Sequence, residues 1–210
     1  MDVGRLDLAT LLDQQALFRL VLLERFYRDR GRWEEMAACF TEHSYVRTTW
    51  FEGSGRAFAE ESAEMARRGR HSTHVVWPIY AEVRGDRALV ESRAEIQNRA
   101  EIDSVEVDMV QYCRFFSRAV RTPDGWRLAS FEGIYQRDTI TPLDPADKLP
   151  LDFAELHGLR PAYRIWAWTI ARRGYDVSQD LLGDDRPDLL EPFYAAARRW
   201  LNTGRDGPIG

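Results

Sequence analysis

The chain has 210 residues, 44% apolar and 12% aromatic, which is enough apolar surface for one sizeable core and excludes a disordered or fibrous class. Its net charge of −5 is spread over interspersed Glu, Asp and Arg with no basic stripe, so nucleic acid is excluded as an expected partner. The opening Met1 to Asp7 lacks the basic flank and apolar stretch of a signal peptide, and no later run approaches the roughly 18 apolar residues of a membrane span. A cytoplasmic protein that does not enter a membrane is expected. Cys39 and Cys113 form neither a disulfide framework nor a metal-ligand spacing, and are read as reduced, buried thiols.

In chain order, Thr10-Leu11-Leu12-Asp13 has capping-box spacing and predicts a first helix. Ala16, Leu20, Leu23 and Tyr27 recur along it at helical spacing, Glu24 shares their side, and Gly31 supplies a left-handed stop. A short second helix carries Trp33, Met36, Ala37 and Phe40 on one face, and a third runs from about Ser54 to Arg68. From His71 the period changes to that of strands, over residues 75–84, 88–98, 105–120 and 126–139, each bounded by turn residues such as Arg84-Gly85-Asp86 and Thr122-Pro123-Asp124-Gly125. In residues 88–97 small or apolar side chains alternate with larger or polar ones, the mark of a sheet with one buried face. Helices followed by long sequential strands indicate an α+β fold.

After Pro142-Leu143-Asp144-Pro145 the composition shifts. Residues 1–145 are expected to form the main domain and 146–210 a helical extension. One helix of the extension starts near Pro161 and stops at Gly174, with Tyr163, Trp166, Ala167 and Ile170 as its apolar face. Another starts near Pro187 and presents Leu190, Phe193, Tyr194, Ala197 and Trp200. Neither is stable with those rings in water, so both are expected against the main domain or a partner subunit, the tail serving as a lid over a pocket mouth.

The pair with chemical promise is Asp29, at the end of the first helix, and His74, at the start of the first long strand. An Asp bonded to one ring nitrogen fixes the tautomer and frees the other nitrogen as a base, and apolar walls hold such a His neutral at rest. His71 is a candidate second base, although a loop-edge histidine is usually solvated. Tyr27, Tyr45, Asn98, Tyr112 and Arg114 are candidate substrate-binding donors, and Trp50, Phe51 and Trp77 candidate pocket walls. Tyr112 and Arg114 share strand parity with Asp108 and Phe116, so all lie on one face: pointing inward they form a pocket floor, pointing outward a dimer face.

The run Phe26-Tyr27-Arg28-Asp29-Arg30-Gly31-Arg32-Trp33 resembles the first-helix signature of SnoaL-like proteins of the nuclear-transport-factor-2-like superfamily. Thr73-His74 with the hairpin Val83 to Ala88, and Gly125-Trp126-Arg127-Leu128 with Tyr135-Gln136-Arg137-Asp138, resemble their His-bearing strand and last strand. The resemblance covers residues 10–142. It implies a cone: a strongly curved antiparallel sheet wrapped around N-terminal helices, with a homodimer formed through the open face of the sheet. Scytalone dehydratase, bile-acid dehydratases and hexachlorocyclohexane dehydrochlorinase in this group place an Asp and a His at the positions of Asp29 and His74.

What the resemblance implies is a lyase or isomerase that needs no cofactor and no metal. His74, oriented by Asp29, would remove a proton next to a carbonyl of a small hydrophobic cyclic or polycyclic substrate. The chain departs from scytalone dehydratase in having Arg28 before Asp29 and no His between His74 and His157. A non-catalytic ligand-binding or dimerisation module is the alternative on the same fold. The structural β subunit of a ring-hydroxylating dioxygenase is a third reading, disfavoured because such a subunit has no need of the acid–base pair.

Overall fold

Asp7, not Thr10, caps the first helix: its carboxylate accepts from the Thr10 backbone N–H at 2.7 Å. Asp13, expected in the capping box, instead accepts from the Trp126 indole at 3.1 Å and from Arg121 at 2.6 Å. In this computed structural model, which describes residues 7–149 and 151–204, α1 runs over Leu8–Asp29 and α2 over Trp33–Ala37, with Gly31 at φ +69° breaking the chain between them. Residues 1–6, on which the expectation of a cytoplasmic protein partly rested, lie outside the described residues.

The chain then enters the sheet earlier than the sequence pattern predicts. Phe40, expected to close the second helix, opens β1, Phe40–Arg47, which is followed by β2, Glu52–Gly53. Next comes α3, Gly55–Arg67, whose cap Ser54 accepts from Ala57 N at 3.2 Å. Gly55 is required there, since a Cβ would stand 2.2 Å from the Phe40 ring. The long strands are β3 Thr73–Arg84, β4 Arg87–Ile102, β5 Val105–Thr122 and β6 Gly125–Pro142. Asp103 and Ser104 both take positive φ, 47° and 68°, in the tight hairpin between β4 and β5.

The strand order is β2-β1-β6-β5-β4-β3. All pairings are antiparallel except that of β1 with β6, which is parallel, so the expected antiparallel sheet is a mixed one. Register shifts between Pro78 and Tyr80, Tyr112 and Cys113, and Phe116 and Ala119 bend strands long enough to curl. The concave face closes on α1 and α3 through Leu17, Leu20, Phe58, Phe115 and Phe131.

The tail packs on the same chain. It contains α4 Phe153–His157, which the sequence pattern does not reveal, then α5 Arg164–Ala171 and α6 Pro187–Thr203. α5 lies beside β6, where the Trp166 backbone N–H donates to Asp138 at 2.8 Å. α6 covers part of the convex face, its Phe193, Ala197, Trp200 and Leu201 packing on Leu89, Phe116 and Ile134. Burying such side chains is worth about 1.5–3 kcal/mol each, which an isolated helix of this composition lacks. No helix among the described residues is long and apolar enough to cross a membrane.

Candidate functional site

The last turn of α1 and the first residues of β3 meet at the mouth of the curled sheet. The His74 backbone N–H donates to Asp29 Oδ2 at 2.7 Å, and its ring Nδ1 lies 2.6 Å from Asp29 Oδ1. One carboxylate therefore fixes both the backbone and the ring of His74. With Nδ1 carrying the proton toward the carboxylate, Nε2 is the lone-pair nitrogen, a tautomer assigned from the bonding network. The His74 side chain is 3% exposed. Burial, with the charges of Arg28 and Arg25, drives its pKa down to about 3 against the opposing pull of Asp29, so the imidazole is neutral at rest. Burial alone would raise the Asp29 carboxyl, but its bonds to His74 outweigh that and hold it below the ordinary carboxylate value.

His74 forms part of the wall of a cavity of about 330 Å³. Trp50, Phe58, Phe115, Phe131 and Ile96 supply apolar surface. From α5 and the turn after it, Trp166, Ile170, Arg173 and Tyr175 contribute to the wall. Trp166 is held by its indole N–H, which donates to Thr49 Oγ1 at 3.1 Å. Tyr135 is buried with its hydroxyl accepting from Thr49 N at 3.0 Å, which leaves its own proton to donate; burial pushes this phenol far up.

Of the residues singled out from sequence, Asn98, Trp50 and His71 reach this wall with His74. Tyr27, Tyr45, Trp77, Tyr112 and Arg114 do not, nor does Phe51, which packs against Trp50 and Phe58. Tyr27 turns aside under Arg32, 4.9 Å from ring centre to guanidinium. On β3 the side chains of His74 and Val76 point inward, so alternation puts Trp77 outward and 50% exposed. On β5, Cys113 and Phe115 face in, which places Tyr112 and Arg114 on the convex face. There Arg137 stacks on Tyr112 at 4.1 Å. Arg114 is neither a pocket floor nor open to a partner, because it binds Asp184 of the tail at 2.6 and 3.0 Å.

Tyr45 donates to Glu52 at 2.9 Å and lines a second cavity, of about 290 Å³, under α6 on the convex side. Burial and Glu52 push its phenol up to about 12.

Among the wall residues that the reading of the sequence passed over, three bear on the chemistry. Arg25 is buried, bonded through Nε and Nη2 to buried Glu24, with its guanidinium over the rings of Phe131, Phe58 and Phe115 at 4.7, 5.4 and 5.6 Å. Arg28 donates to Ser72 Oγ at 2.9 Å, and burial lowers its pKa to about 10. Tyr135 is the third. A signal for the two arginines exists: Leu17, Leu20 and Val21 continue at helical spacing into Glu24, Arg25 and Arg28, placing charge on the face α1 buries. Among the described residues no group of three or more His, Cys, Asp or Glu is arranged to hold a metal ion.

A family described as the SnoaL-like domain matches residues 9–132. A PEP2-like protein of Fusarium vanettenii is 30% identical over 190 residues, covering 83% of this chain and 79% of its own. The pea pathogenicity protein 2 of the same fungus is 28% identical over 209 residues, 90% of this chain and 88% of that protein. Among solved structures, a hexachlorocyclohexane dehydrochlorinase of type 2 superposes with a TM-score of 0.55 at 14% identity, over 69% of this chain and 98% of that one. A Novosphingobium aromaticivorans chain provisionally named a scytalone dehydratase gives 0.52 at 21% identity, over 66% of this chain and 96% of that one. At these identities the structural likeness speaks to the fold.

Proposed function

Because the chain belongs to the SnoaL-like domain family, we propose that it is a cofactor-independent lyase of dehydratase type, or an isomerase, acting by proton abstraction next to a carbonyl. The observation that carries this reading is the bidentate hold of Asp29 on His74 at the wall of a cavity lined by aromatic rings and polar side chains. In the elimination, His74 Nε2 takes the α-proton and the C–H electrons form the enolate. The enolate then collapses to the C=C bond as the β-hydroxyl departs, taking the proton back from the imidazolium to leave as water. Asp29 stabilises the transient imidazolium. The Tyr135 hydroxyl and the amide of Asn98 are donors suited to the enolate oxygen.

The substrate in this reading is a small hydrophobic ring compound. Residues 146–210 act as an extension packed on the cone of 1–145, α5 helping to keep water from the reacting carbon. A cytoplasmic setting suits the buried, unpaired Cys39 and Cys113. A homodimer is retained, with its contact moved to exposed Trp77 and Ile79 of β3, since the tail occupies part of the convex face.

The test is a screen of cyclic β-hydroxy and β-halo carbonyl compounds, read by the ultraviolet absorbance of the conjugated product. His74→Ala is expected to lower kcat/KM by at least about 100-fold. The wild-type profile of kcat/KM against pH should show no inflection near the ordinary imidazole value, because free His74 is already neutral well below it. Unchanged turnover in His74→Ala would overturn the assignment. The strong depression of the imidazole, which makes a weak base, favours the second reading, a non-catalytic ligand-binding module. Ligand binding without turnover across that screen selects it.

A further inference from the structure

The polar groups of the cavity wall are unbalanced. Among the described residues that line it, Arg25, Arg28, Arg70, Arg99 and Arg173 face one carboxylate, Glu101. Two of the five are satisfied within the protein, Arg25 by Glu24 and Arg99 by Asp108 at 2.9 and 3.0 Å. Arg28 lies 3.9 Å from Asp29, whose oxygens are engaged by His74, and its Nε has no hydrogen-bond partner. Asn98 Nδ2 is likewise buried without a partner.

Arg70, from the α3–β3 connection, and Arg173, from the turn after α5, both line this cavity, near enough for their charges to interact. Arg70 donates to the Tyr175 hydroxyl at 3.0 Å, an acceptor that leaves its charge uncompensated. Arg173 has its guanidinium held below the ordinary value by partial burial and by Arg70. Two interacting cations, neither of which makes an ion pair with an acid among the described residues, repel one another, and an anion between them relieves the repulsion.

We propose that the substrate of this site is an aromatic or alicyclic compound bearing an anionic group, a carboxylate or a phosphate ester, at the end remote from the reacting carbon. Arg70 and Arg173 clamp that group at the mouth. The unpartnered donors Arg28 Nε and Asn98 Nδ2 take acceptor oxygens deeper in, so that the ring lies along Phe115 and Trp166 with its reactive end at His74. The inference rests on the elimination or isomerisation reading for what happens at His74, but binding itself does not require it.

The experiment is calorimetric titration of the full chain with 2-naphthoate, 2-naphthyl phosphate and neutral 2-naphthamide, which share one ring system. At least one anion is expected to bind about tenfold or more tightly than the amide, with an advantage that shrinks as salt is raised. Arg70→Gln/Arg173→Gln, which removes both charges and keeps an amide donor for the Tyr175 hydroxyl, should abolish the preference while leaving amide binding within about twofold. The two anions distinguish a carboxylate from a phosphate ester. Equal affinity for all three probes, or loss of amide and anion binding alike in the double variant, overturns the proposal. Because the readout needs no turnover, its failure leaves the role of His74 standing, and silence in the elimination screen leaves the anion clamp standing.

Discussion

Glu24 and Arg25 are adjacent in sequence yet both are buried, 1% and 4% exposed, because α1 turns this part of its surface into the concave sheet. Their mutual bonding keeps two charges tolerable in an apolar setting, and removing one strands the other. Glu24→Gln should therefore cost about 3–5 kcal/mol in urea denaturation, whereas replacing both residues by Leu and Met should cost much less. An additive double variant would show that the pair does not act as a unit. Glu132 poses the opposite case. Burial raises its carboxyl to about 7 despite the Ser130 hydroxyl donating at 2.8 Å, and its Oε1 has no partner. Its folded pKa lies above the unfolded value, so its contribution to stability is full below about 4.5 and is lost as pH rises through about 7. Glu132→Gln should accordingly be more stable than wild type at pH above that value, by up to roughly 3 kcal/mol, and indistinguishable at acid pH. Thermal unfolding at two pH values decides it.

Elements were legible where local pattern and tertiary role agree. The four long strands are announced by alternation and by turn residues such as Gly85 and Gly125, and α6 by its apolar stripe after Pro187. What escaped was non-local. β1 owes its strand state to β6, pairing Tyr45 with Ser130 and Val46 with Phe131 in parallel, and nothing within its eight residues announces that partner. The same limit governed the site. Asp29 and His74 were singled out as a helix end and a strand start able to meet, and by the resemblance to SnoaL-like proteins, and the two are in contact. Parity grouped Tyr112 with Arg114, but which face turns inward depends on the side that α1 occupies. The convex face in turn belongs to Asp184 and to α6, whose Tyr194 donates to Glu91 at 2.8 Å. Arg25 and Arg28 were passed over because charge on a helix is by default solvent-facing.

At the scale of the whole molecule, the tail divides the sheet into a covered and an open part. Trp77 and Ile79 on β3 remain 50% and 53% exposed, an apolar pair at the edge of the sheet that a second copy would cover. Trp77→Glu should turn the proposed dimer into a monomer in sedimentation velocity. A monomeric wild type would remove the dimer from the reading. The parallel pairing of β1 with β6 also sets the order of assembly. The hairpins of β3 to β6 close locally, but β1 waits for a strand that leaves the ribosome long after it, when most of the domain has been made. During synthesis α1 and its buried charges therefore have no cone to enter. The apolar stripe that later seats Asp29 over His74 is, in the nascent chain, uncovered surface until β6 has been made.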